Sequence, residues 1–168
     1  MLAPIYHARY SDLFANTARC AKFIRLSQIT SGILKDLYSI RRINSALRAS
    51  LTEKYSAELQ KWRSGIAHFL DLRPMDTSLM IPLFQRQNTV LNLAFRHVLI
   101  LLHRPLLLSN FESLTKPSVD VPNGLKVAAD RSVAECLEAA LGILGIVNDL
   151  CEGRQLYRAF WVWNCLRI

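Results

Sequence analysis

A chain of 168 residues, 51% apolar and 20% charged, holds enough hydrophobic side chains for one buried core and too many for wholesale disorder. Its formal charge of +8 fits either an anionic partner or a set of helices with basic outer faces. Arg9, Arg19, Lys22, Arg25, Lys35, Arg41, Arg42 and Arg48 face only Asp12 and Asp36 in the first fifty positions; they stand mostly singly and no aromatic platform interleaves with them, which favours solvated helix faces over nucleic-acid binding.

The first expected helix runs from Ser11 to Ser39. Phe23, Leu26, Ile33, Leu37 and Ile40 recur at helical steps and stack on one face, while Gly32 weakens the middle. The second begins at Ser50, whose spacing to Glu53 matches a capping box. Tyr55, Leu59, Trp62, Ile66 and Phe69 then form a heptad-like stripe, ended by the loop at Pro74. The third begins near Pro82, a residue suited to a first helical turn. Leu91, Ala94, Val98, Leu101 and Leu102 supply its stripe, and Pro105 ends or kinks it. Residues Asn110 to Gly124, with Pro117 and Pro122, are expected as a loop, and Asn123 caps the fourth helix. There Leu125, Ala129, Val133, Cys136, Ala140, Leu144, Val147 and Leu150 trace an apolar face, with Gly142 and Gly145 allowing close helix contact. A fifth helix starts near Arg154 and carries Phe160, Trp161 and Trp163. Strand alternation and hairpin turns are missing from the pattern, so the expected fold is an all-α orthogonal bundle of about five helices, one domain over 1–168, with Trp62, Phe95, Leu102, Leu144 and Trp161 in its core. The apolar last segment calls for more protein over it, so the chain reads as a partial, truncated domain.

Chemistry-bearing patterns are sparse. Cys20, Cys136, Cys151 and Cys165 lack the spacing of a structural zinc site. His97 and His103 are not four apart, so they cannot share a helical metal face, and no metal ligand is assigned. No Gly-x-Ser-x-Gly elbow and no phosphate-cradling glycine loop occurs, so no catalytic residue is assigned and the chain reads as a non-enzyme. The opening Met1-Leu2-Ala3-Pro4 lacks a charged head followed by an apolar run, which leads to the expectation of reduced thiols in an intracellular setting. The longest apolar run, Val98 to Leu108, is interrupted by His103-Arg104-Pro105 and falls short of the about 20 residues a bilayer span takes, so no membrane association is expected. Those three residues have two readings. Either His103 and Arg104 are solvated or bond free carbonyls at a helix end, the reading physics favours, or they face a ligand inside an apolar bundle.

In sequence order, Leu37-Tyr38-Ser39, Leu59-Gln60-Lys61-Trp62, Leu101-Leu102-His103-Arg104-Pro105, Cys136-Leu137-Glu138-Ala139-Ala140 and Phe160-Trp161 resemble the regulatory "middle homology" region of fungal zinc-cluster transcription factors. The resemblance covers about residues 30–165 and implies a helical regulatory domain of a nuclear transcription regulator. Such a domain modulates RNA polymerase II transcription through protein partners or the rest of a larger factor, with a small-molecule effector as a further partner the resemblance implies. It marks Leu37, Tyr38, Trp62, His103, Arg104, Pro105 and Cys136 as motif residues. The six-cysteine binuclear cluster that reads DNA in that family does not occur in this chain, nor do the elements of the family domain's front half. No zinc or other cofactor is therefore assigned here, and contact with DNA is expected only indirectly.

Overall fold

The computed structural model describes residues 21–39, 43–67, 82–115 and 123–152, and these are helical, with no strand among them. We number the helices α1 (21–37), α2 (Ser45–Ser64), α3 (Pro82–Thr115) and α4 (Asn123–Glu152). The all-α class follows directly. The expected fifth helix, the Trp161 core position, Pro74, Pro117 and Pro122 lie outside the described residues.

In α1, Leu26, Ile29, Ile33 and Leu37 are buried, a three- and four-residue spacing that makes one stripe. Phe23 was expected on that stripe and is instead exposed, because the buried phase starts at Leu26 and passes through Ile29. Thr52, Tyr55, Leu59 and Trp62 of α2, and Ile66 just after it, alternate steps of three and four and are all buried. Thr52 fits this apolar phase because its hydroxyl donates to the Arg48 carbonyl of its own helix at 2.9 Å, which satisfies the group without a partner across the core.

The start of α2 differs from the capping-box expectation. Its N-cap is Asn44, whose side chain accepts from the Ala46 amide at 2.7 Å. Ser50 and Glu53 therefore sit inside the helix, since the Ser45–Ala49 stretch contains no helix breaker and Asn44 satisfies the first turn. The helix stops at Gly65, whose amide reaches the Lys61 carbonyl at 3.3 Å.

Trp62 and Phe95 anchor the centre. Their rings stack with centroids 5.6 Å apart at 17°, and the indole N–H donates to the Lys22 carbonyl at 2.9 Å. Three helices are joined at that single side chain: α2 carries it, α3 stacks on it and α1 accepts its proton. Leu59, Leu102 and Ile33 are fully buried around the stack. Tyr55 closes the other end. Its ring lies over Gly32, where an added Cβ would meet the phenolic oxygen at 2.8 Å, and its hydroxyl donates to Asp36 Oδ2 at 2.6 Å. Burial, and then that bond, push the phenol up to about 12. Gly32, read as a weak point of α1, is thus where the Tyr55 ring passes.

α3 pairs most extensively with α4 and does not end at Pro105; it continues to Thr115. Much of the expected loop from Asn110 is accordingly helix. By length and composition the 85–108 stretch, with mean hydropathy 1.3, would suffice to cross a membrane. Here Leu91, Phe95, Val98, Leu99 and Leu102 from it belong to the packed core.

In α4 the buried positions are Ala129, Ser132, Cys136, Ala139 and Leu150. Leu144, expected in the core, is 63% exposed, and Leu137 and Leu141 are exposed with it. The helix is apolar on two faces, and the face of small residues is the one that packs on α3. Gly142 fits that close approach, since a Cβ there would fall onto the Arg96 guanidinium. Gly145 does not, having nothing within 4 Å.

Candidate functional site

Pro105 has no N–H, so inside α3 the Leu101 carbonyl lacks its normal partner four residues on. Tyr38, immediately after α1, fills that vacancy: its hydroxyl donates to the Leu101 carbonyl at 2.8 Å. Tyr38 is held there by its own amide, which bonds back to the Leu34 carbonyl at 3.2 Å, and by the buried Leu37 beside it. Burial raises the Tyr38 phenol above its ordinary value while the Arg104 charge opposes part of that rise, so the hydroxyl remains a donor at neutral pH. From the other side, Cys136 of α4 brings its thiol to 4.0 Å from the Ile100 carbonyl, a weak contact. Burial pushes that thiol up, away from reactive thiolate.

Four of the motif residues therefore meet along α3: Tyr38 from just after α1, Pro105 of α3 with Arg104 beside it, and Cys136 from α4. Leu37 is core and Trp62 is core. The pairing of Tyr38 with the proline-freed carbonyl joins positions 63 residues apart in the chain.

His103 and Arg104, expected together, have different surroundings: one is buried and the other exposed. Arg104 is exposed, near enough to Tyr38 for its charge to act there. His103 is 4% exposed and points its Nδ1 at the Ser132 hydroxyl of α4, 3.2 Å away. With the Ser132 proton on the Ala128 carbonyl at 2.9 Å, the tautomer that completes the contact carries its proton on His103 Nδ1. Nε2 is then an acceptor, and it is buried without a partner. An unmet buried polar atom of this kind costs about 1–3 kcal/mol. Burial, and then the Arg131 charge, lower the ring to about 4, so it is neutral near pH 7.

His103 lines a cleft of about 630 Å³ between α2, α3 and α4. α2 contributes Ser50, Thr52, Glu53, Ser56 and Gln60, α3 contributes His103 and Leu106, and α4 contributes Arg131 and Ser132. The volume lies in the range of small-molecule sites, and the mixture of apolar walls with a few polar groups is their usual composition. Ser132 and Arg131 were not singled out from the sequence. The available signal was Ser132 itself, a hydroxyl on the phase of α4 that runs through Ala129, Cys136 and Ala139. Among the described residues no three His, Cys, Asp or Glu side chains cluster as a metal site would need.

No family model, curated protein or solved structure matches this chain.

Proposed function

We propose that this chain is the later part of a regulatory domain of the fungal zinc-cluster kind: a non-enzymatic, nuclear interaction module that modulates transcription by RNA polymerase II. In this reading the described helices belong to an orthogonal bundle completed by a fifth helix beyond Arg154. Protein partners or the remainder of a larger factor connect the module to DNA, which a separate zinc cluster reads. The observation that supports it is the meeting of Tyr38, Pro105 and Cys136. These residues were singled out as separate strings on three helices, and they converge on the two carbonyls of Ile100 and Leu101.

The test is a fusion of the full chain to a heterologous sequence-specific DNA-binding module, read by a reporter gene in a fungal host. The proposal expects reporter output to rise or fall severalfold against the module alone, with the fusion in the nucleus. Output equal to that of the module alone, from a fusion present at the same level, would count against it.

A second reading, a bundle that senses a small molecule, is favoured by one observation: His103, a residue that lines the cleft, has a buried Nε2 with no hydrogen-bond partner among the described residues. The two readings are compatible, since a regulatory domain can take an effector. His103 carries this reading, whereas Arg104 stands at the surface by Tyr38.

A further inference from the structure

The cleft has a buried floor and a charged rim. Thr52, His103, Leu106 and Ser132 form the floor; Glu53 on α2 and Arg131 on α4 stand exposed at the edge. Both floor hydroxyls are committed, Thr52 to the Arg48 carbonyl and Ser132 to the Ala128 carbonyl. His103 Nδ1–H is committed to Ser132. The one open hydrogen-bonding position among these floor side chains is the Nε2 lone pair, and only a donor can fill it.

The kind of donor is restricted. The Arg131 charge acts against a proton on the same ring, so a cationic donor such as an ammonium meets the same repulsion at that place. A neutral hydroxyl meets none. Arg131 makes no ion pair among the described residues, and it is positioned to receive an anion at the rim. Leu106, Ala57 and Ala128 offer carbon surface between the two ends. Nε2 itself presents less than 1 Å² to solvent, so a hydroxyl reaches it after a small turn of the imidazole about its broad terminal torsion.

We propose that the cleft binds a small hydroxy-carboxylic acid, its hydroxyl donating to His103 Nε2 at the floor and its carboxylate meeting Arg131 at the rim. This rests on the effector-binding reading above and names the chemistry of the effector. Glu53 at the same rim disfavours a second carboxylate, so a monoanion fits better than a dicarboxylate.

The experiment is calorimetric titration of the full chain with three probes: 3-hydroxybenzoate, benzoate and 3-methylphenol. 3-Hydroxybenzoate should bind about tenfold tighter than either of the others, the factor one added hydrogen bond or ion contact gives. The nitrogen resonance of His103 Nε2 should move with 3-hydroxybenzoate and stay in place with benzoate. His103→Phe should abolish the hydroxyl advantage. Arg131→Gln, a surface change that leaves the core untouched, should abolish the carboxylate advantage and leave 3-methylphenol unaffected. Equal affinity for 3-hydroxybenzoate and benzoate, with binding still at the cleft, overturns the hydroxy-acid assignment alone. No binding of any probe up to about 10 mM, beyond the weak end of specific affinity, overturns the effector-binding reading together with it.

Discussion

Replacing Tyr38 with Phe removes one hydroxyl and no ring, so it isolates the bond to the Leu101 carbonyl. A neutral hydrogen bond contributes a net of about 0.5–1.5 kcal/mol. Tyr38 is 39% exposed, so water can partly replace the hydroxyl, and the expected loss lies at the lower end, about 0.5–1 kcal/mol. Pro105→Ala supplies the missing amide at position 105 and lets α3 satisfy Leu101 internally. Proline inside a helix is about 3 kcal/mol worse than alanine; since Tyr38 already offsets part of that, the substitution should stabilise by about 1–2 kcal/mol. The decisive quantity is the coupling. In the Pro105→Ala background Tyr38→Phe should lose most of its cost, to below about 0.3 kcal/mol, a double-mutant interaction readable by urea unfolding followed at 222 nm. If Tyr38→Phe costs the same with and without Pro105, the hydroxyl does not serve the proline-freed carbonyl and the reasoning fails.

Three further outcomes follow from the same packing. Trp62→Ala should destabilise by about 3–5 kcal/mol, as large aromatic deletions in a core do; Trp62→Phe, which keeps a ring opposite Phe95 and gives up the bond to Lys22 and part of the indole's volume, should cost about 1–3 kcal/mol in the same urea titration. Gly32→Ala should destabilise by about 1–2 kcal/mol, because the rigid Tyr55 ring must move and its bond to Asp36 stretch. Gly145→Ala, with open space around it, should stabilise by about 0.5–1 kcal/mol through helix propensity, and the two melting shifts should have opposite signs. The His103 ring, neutral down to about 4 when folded, takes up its proton near 6.5 when unfolded. Between those values the unfolded chain binds more protons, so stability falls as pH drops through that window; half-buried His97, also lowered by burial, adds in the same direction. Melting temperature measured against pH should show this slope, and His103→Gln should flatten part of it.

The sequence made the helical class legible because the stripes of α2 and α3 are apolar on one phase: Tyr55, Leu59, Trp62 and Ile66, then Leu91, Val98 and Leu102. In α4 the expected face is right in part: Ala129, Cys136 and Leu150 from it are buried, while Leu144 is exposed, because α3 packs on the phase of small residues that also runs through Ser132 and Ala139. Local rules give Pro105 as an end or a kink of the helix, and the donor that compensates for it, Tyr38, lies 63 residues from the Leu101 carbonyl it reaches. That distance is also why the site was half visible: His103 and Arg104 were found as neighbours in the chain, while the residues that give His103 its role, Ser132 and Arg131, come from another helix. Asn44 displaced the Ser50–Glu53 cap because two acceptable starts occur within six positions and a sequence pattern does not rank them.

Everything proposed for this chain depends on one fixed core in which α1, α2 and α3 are joined at Trp62 and the Tyr38 hydroxyl is delivered to α3. The most direct test is the near-ultraviolet circular dichroism of residues 1–168 through a thermal melt, with Trp62→Phe as the subtraction. A fixed Trp62–Phe95 stack predicts a near-ultraviolet band that the substitution removes in part and that disappears in the same cooperative transition as the helical signal at 222 nm. High helicity with no near-ultraviolet band, or a difference spectrum that is flat, would mean that the helices form without that core and would contradict the account.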